Sequence, residues 1–242
     1  MLFRAMQKNM VRIGEDIIKE RVCLVLGSIF NVAKQKAREV IGRTLVTELS
    51  KKGYSACYAN DKEEALAEVL KIIPGNVSVG IPGSVTIREI GAIEALKEKG
   101  CTINQHWDPS LTAEQRTEVF QKENMSDYFL TSANAITTDG MIVNIDGTGN
   151  RVSGMAWGKN EMIFVIGVNK VANNVDEAIS RVRLTATPPN VLRLNGETPC
   201  TKTGHCVDCN SESRVCRALL ILERPTFGRK THVIIVGEDL GY

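Results

Sequence analysis

The sequence predicts an α/β fold: a mainly parallel sheet flanked by helices, with antiparallel additions and an N-terminal helical extension. Three observations predict it. Short β-branched runs alternate with amphipathic stretches of helical length, as in strand–helix–strand units. Of 242 residues, 43% are hydrophobic and 24% charged, which suffices for one sizeable core without covalent staples. No internal repeat or low-complexity linker interrupts the alternation, so residues 1–242 are read as a single domain.

The elements follow in order. Residues 1–29 are amphipathic and are expected to be helical, packing on the sheet or on a partner subunit of a homo-oligomer. Ala33, Ala37, Ile41, Leu45 and Leu49 recur at every fourth position and predict a helix over 30–52. Gly53 ends it, and "YSACYA" is a short strand. Asp61 and Glu64 have capping-box spacing and open a helix with Ala65, Leu66, Val69, Leu70 and Ile73 on one side. "VSVGI" (77–81) is a strand, Thr86 to Lys99 a helix, and "CTINQH" a strand. Thr112 with Gln115 caps a helix reaching about Asn124. "DYFLTS", "AITTDG", "MIVNID" and "EMIFVIGV" are strand-like, and Asp139-Gly140 marks a hairpin turn. Val175 to Ala186 is helical. "ALLILER" and "HVIIVGE", joined by "PTFGRKT", are expected to form a final antiparallel pair.

Charge and hydropathy exclude several functions. A net charge of +2 does not suit a nucleic-acid binder. The start, "MLFRAMQKNMVRIGED", becomes charged too soon for a secretory signal, and the longest apolar runs are too short to span a bilayer. A cytoplasmic protein with no membrane insertion is expected. In a reducing compartment thiols stay free, bind metal or act in redox chemistry, and seven is an odd number for a disulfide framework.

Two Gly-rich stretches could carry chemistry. In "VGIPGSVTIREIG" (79–91) a strand runs through a glycine turn into a helix, a place suited to phosphate or carboxylate. Gly83, Ser84 and Thr86 are candidate ligand-binding residues, and Glu89 is a candidate catalyst. The structural alternative makes Thr86 and Glu89 a capping box. In the loop after "MIVNID", Asn144, Asp146, Gly147, Gly149, Asn150 and Arg151 place polar groups beside glycines that allow close backbone approach. Arg151 suits a bidentate grip on an anion, Asp146 is a second candidate catalyst, and Asp139 and Lys170 are candidate contributors. The structural alternative is a solvated turn with Asx-type hydrogen bonds. His106, His205 and His232 show no triad pattern.

"PCTKTGHCVDCNSESRVC" (199–216) holds Cys200, Cys206, Cys209 and Cys216 among turn-forming residues. Four thiolates suit tetrahedral zinc or an iron–sulfur cluster. Disulfides and unrelated free thiols are the alternatives. Cys23, Cys57 and Cys101 lie in apolar sequence and are expected to be buried.

The stretch "SANAITTDGMIVNIDGTGNRVSGMAWG", with "VIGVNKV", "PPNVLRLN", "GHCVDCNSESRVC" and the earlier "GIPGSVTIREIG", resembles the lactate-utilisation (LUD, or DUF162) domain family. The likeness runs from about residue 8 to the end and matches a subgroup of stand-alone members with a four-cysteine segment. It implies a fold similar to sugar-phosphate isomerases and CoA transferases. It also implies a role in bacterial lactate oxidation to pyruvate alongside iron–sulfur partner proteins, with an iron–sulfur cluster favoured over zinc at the cysteines. The rival expectations are an isomerase, ligase or CoA-transferase-like enzyme using Glu89 or Asp146 on a small anionic substrate, and a non-enzymatic zinc or redox-sensing protein.

Overall fold

The computed structural model describes residues 29–242, so the extension expected over 1–29 lies, but for its last residue, outside the described residues, as does Cys23. By contacts the chain divides into Met1–Val40 and Ile41–Tyr242, and the sheets and core described here belong to the second unit. A helix, α1, covers 29–51. Its fourth-residue periodicity is buried only at Leu45 and Leu49, while Ala33, Ala37 and Ile41 are exposed.

The remaining elements alternate as the sequence predicts. They run β1 (Ser55–Ala59), α2 (Lys62–Ile72), β2 (Ser78–Gly80), α3 (Val85–Glu89), α4 (Ala92–Glu98), β3 (Thr102–Asn104) and α5 (Ala113–Met125). Then come β4 (Tyr128–Thr131), β5 (Ala135–Thr137), β6 (Ile142–Asp146), α6 (Asn150–Ala156), β7 (Glu161–Gly167), β8 (Val171–Ala172) and α7 (Val175–Arg181). Last are α8 (Thr187–Arg193), α9 (Pro199–Thr203), β9 (Ala218–Leu222) and β10 (Thr231–Val236).

Six strands form a parallel sheet in the order β1-β10-β7-β4-β2-β3. Its central strands are buried on both faces, which is why they read as continuous apolar runs. Along β7, Ile163 and Val165 enter the core beneath α2 and α4, while Met162, Phe164 and Ile166 join Leu45, Leu49 and Phe129 on the other face. A second sheet, β8-β5-β6-β9, holds the expected hairpin of β5 and β6.

Four local expectations are corrected. The helix expected over Thr86–Lys99 breaks at Gly91, whose φ of +71° ends α3 and restarts the chain as α4. Ser84, not Thr86, caps α3: its hydroxyl accepts from the Ile87 amide at 3.3 Å. β9 and β10 do not pair. All six residues of β10 are buried, so it lies between β1 and β7, whereas β9, with Leu219 exposed, runs antiparallel to β6 at the edge of the second sheet. The helix expected to end at Ala186 continues through a π-helical turn, Val182–Ala186, into α8. No described helix is long and apolar enough to cross a membrane.

Candidate functional site

The carboxyl ends of β2, β3, β4 and β7 open on one end of the parallel sheet, where ligands bind in open α/β folds. After β2 the chain turns at Gly83, whose φ is +77°. A side chain here would place its Cβ 2.7 Å from Trp107 Nε1 and 3.1 Å from His106 Nε2, so only glycine fits. Ser84 and Thr86 follow, both buried. After β7 a single 3₁₀ turn delivers Lys170, which is only 4% exposed. Its Nζ donates to Thr86 Oγ1 at 2.9 Å and to Ser132 Oγ at 3.0 Å. No described carboxylate pairs with it. Burial, and then the charge of Arg181, push its pKa down to about 7; Glu89 pulls it back, and Arg151 adds a smaller push down.

The end of β6 forms the opposite wall. Asp146 Oδ2 accepts from the amides of Arg151 at 2.9 Å and Val152 at 3.2 Å, and lies 3.6 Å from Arg151 Nε. Burial would raise the Asp146 pKa, but Arg151 and these amides outweigh it and hold the carboxyl below its ordinary value. Asp146 thus holds the start of α6, the role of a capping residue, and aims Arg151, whose Nη2 also donates to the Ile145 carbonyl at 2.6 Å. Below them Asn144 Oδ1 accepts from the Asn134 amide and Asn134 Oδ1 accepts from the Ile145 amide, each at 3.0 Å.

The third wall follows β3. His106 Nδ1 lies 2.7 Å from Oε1 of Glu123, a wholly buried carboxylate on α5, and Phe120 meets the imidazole edge-on at 4.9 Å. Burial raises the Glu123 pKa, and the bond to His106 opposes that rise. Trp107 carries two guanidiniums, Arg88 at 4.1 Å and Arg193 at 4.2 Å from its ring centre.

These walls enclose one cleft of about 640 Å³. Of the residues singled out in the sequence, Gly83, Ser84, Thr86, Asp146, Gly147, Asn150, Arg151 and Lys170 line it. Glu89, Asp139, Asn144 and Gly149 do not. Glu89 is exposed and accepts from the Gly241 amide at 2.6 Å. Asp139 closes the β5–β6 turn, accepting from the Thr137 hydroxyl and lying 3.5 Å from Lys52. Gly149 precedes α6 with a φ of +89°. Sequence reasoning missed His106 with Glu123, Ser132, and Trp107 with Arg193. No local pattern links residues 17 positions apart on a strand end and a helix. A signal was present all the same: Glu123 is an acidic residue on the face that α5 turns to the core.

Cys200, Cys206, Cys209 and Cys216 line one void of about 20 Å³ beside Arg214 and Thr187. All six described cysteines are free thiols; Cys101 is buried as expected, and Cys57 is half-buried. Arg214 Nε donates to the Cys216 carbonyl at 2.8 Å, and its Nη2 donates to Asp208 at 2.9 Å. Thr198 Oγ1 lies 3.0 Å from Cys200 Sγ. Burial raises the Cys216 pKa, with Thr187 and Arg214 opposing. Cys216 also lines the large cleft, so the thiols and the Gly-rich loops border one another.

A family model of the LUD domain matches residues 43–236. The chain belongs to the LUD domain family. The matched span holds all four clustered cysteines and every cleft-lining residue except Gly241 and Tyr242. This LUD-domain chain is also similar to the crystal structure of a DUF162 family protein from Deinococcus radiodurans, with 14% identity and a TM-score of 0.49, over 82% of this chain and 98% of that one. No curated protein matches it.

Iron–sulfur or zinc chemistry in this LUD domain would fall to the four thiols. Their donor type fits, since all four cysteines line one void and Arg214 sits beside them to offset thiolate charge. Among the described residues no three His, Cys, Asp or Glu side chains stand close enough to hold a single ion. The void is about the size of one water, so the segment must open to admit a cluster.

Proposed function

We propose that this LUD-domain protein holds a small 2-hydroxy acid, lactate in the first instance, and takes part in its oxidation to the 2-oxo acid with an iron–sulfur partner protein in the cytoplasm. The observation that carries the reading is Lys170. It is a buried ammonium with two hydroxyl partners and no described carboxylate partner, in a cleft whose wall includes Cys216. A substrate carboxylate supplies the missing counter-charge, and Arg151 offers a second grip from across the cleft. Oxidation of a 2-hydroxy acid releases two electrons and two protons. His106, fixed through Nδ1 by Glu123, leaves Nε2 beside Gly83 to accept the hydroxyl proton. The four cysteines would hold an iron–sulfur centre, which when bound would pass both electrons, one at a time, to the iron–sulfur partner protein, while the Cα hydrogen leaves as the second proton to solvent.

An isomerase or CoA-transferase reading has less support. Asp146 commits its carboxylate to Arg151 and the start of α6, and Glu89 lies off the cleft.

The test is anaerobic purification of wild type and of the C206S/C209S double variant, with iron, zinc and sulfide analysis. Lactate-dependent dye reduction is then measured with the genomically neighbouring iron–sulfur proteins present. Iron with stoichiometric sulfide, lost in the variant, and turnover lost in Lys170→Met are expected. Zinc or no metal would make the cysteine segment structural. Absence of lactate-dependent electron transfer to any acceptor would end the lactate assignment.

A further inference from the structure

The cleft is larger and more cationic than one carboxylate requires. At about 640 Å³ it falls in the range that encloses drug-sized ligands, not three-carbon acids. Arg116, Arg151, Lys170 and Arg193 line it, against Asp108 and Asp146. Asp108 is occupied by the amide and hydroxyl of Ser110, and Asp146 by Arg151. Arg116 on α5 is exposed, and two further positive centres are left. The inner one is Lys170. The outer one is the Trp107 stack, where Arg88 and Arg193 share one indole and repel each other. Arg88 donates to Gln105 at 2.8 Å and Arg193 to Asn190 at 2.8 Å, both neutral acceptors. Neither guanidinium is ion-paired to a described carboxylate. Arg88 lies off the cleft and is offset in part by Glu94, whereas Arg193 lines the cleft with no described carboxylate at ion-pair distance; such a charge suits an anion, and a guanidinium's planar fork matches phosphate or carboxylate.

We infer that the cleft takes a small dianion, a 2-hydroxy acid bearing a second carboxylate or a phosphate, with one anionic end on Lys170 and the other on Arg193 beside Trp107. The inner half of this inference rests on the reading given under Proposed function; the outer half stands on the Trp107 stack.

Calorimetric titration tests it with three ligands that share the lactate skeleton: lactate, malate and 3-phosphoglycerate. The proteins are wild type, Arg193→Gln and Arg193→Lys. Arg193 is exposed, and thermal melts check that each variant folds. Malate or 3-phosphoglycerate is expected to bind at least about tenfold tighter than lactate, and the stronger of the two names the second group. Arg193→Gln is expected to erase that gain and leave lactate within about twofold, while Arg193→Lys keeps part of it. Dianions that bind no tighter than lactate, or a variant that weakens all three alike, would overturn the inference and leave the lactate reading standing. A dianion that binds through Arg193 where lactate does not bind would support the inference and overturn lactate as substrate.

Discussion

Lys170 Nζ sits on two hydroxyls with no described carboxylate at ion-pair distance, so its charge is held at the expense of stability. The pKa in the folded protein is about 7, below the ordinary lysine value, so the folded state binds fewer protons than the unfolded one between about pH 7 and the ordinary value near 10.5. The destabilisation is fully present below pH 7 and fades as pH rises through that window. Lys170→Met is expected to stabilise the unliganded protein by roughly 1–3 kcal/mol at pH 6, with the difference shrinking by pH 9, as read from urea midpoints. Anion affinity runs the other way. It should be full below pH 7 and fall by up to about tenfold per pH unit above it, because the anion needs the ammonium. A pH-independent lactate affinity would detach Lys170 from the ligand. In the sequence, Lys170 was legible as a candidate ligand contact at a strand end, but its burial was not. Its burial depends on Thr86 and Ser132, which are 84 and 38 positions away.

Helix α5 shows how an element with a weak apolar face still positions a site. Its start was legible, because Thr112 and Gln115 form the expected capping box. Its placement was not. At Gly80, the last residue of β2, an added Cβ would lie 1.9 Å from the Glu123 carbonyl oxygen, so the strand and the helix backbone touch. That approach sets Glu123 under His106 and Phe120 against the imidazole. Gly80→Ala must push α5 away and is expected to cost roughly 2–4 kcal/mol, read as a lowered urea midpoint, and to weaken binding in the cleft as His106 loses its partner. Unchanged stability would mean that α5 moves freely against β2. The corrected elements have similar causes. Gly91 breaks a stretch whose apolar spacing suits one helix, and the π turn after α7 shifts Ala186 and Thr187 into the cleft wall without any local composition signal.

Across the whole molecule the two sheets are joined by the segment between β9 and β10, which turns back through Arg229. That side chain is buried, and its Nε donates to the Asn160 carbonyl at 3.0 Å while Nη1 donates to the carbonyls of Gly154 at 2.6 Å and Met155 at 3.2 Å. Asn160 in turn donates to the Asn124 carbonyl at the end of α5. Burial lowers the Arg229 pKa to about 10, so it stays charged at neutral pH. Arg229→Met strips several buried carbonyls of their donor and is expected to cost roughly 2–4 kcal/mol, seen as a lower melting temperature. It should also loosen α6, and with it Asp146 and Arg151. A melt unchanged from wild type would show that water replaces the guanidinium.

The sequence by itself determined the kinds of element and their order, because strand and helix periods are written in neighbouring residues and burial follows them. It also marked the two Gly-rich loops and the four-cysteine segment. Only the tertiary structure decided that β10 leaves β9 for the parallel sheet, that Glu123 reaches His106, and that Cys216 shares a wall with Lys170. The reason is physical. Local patterning fixes which face of an element is apolar, but which distant face covers it depends on how the chain packs, and the cleft is made of the side chains left at the strand ends after that packing.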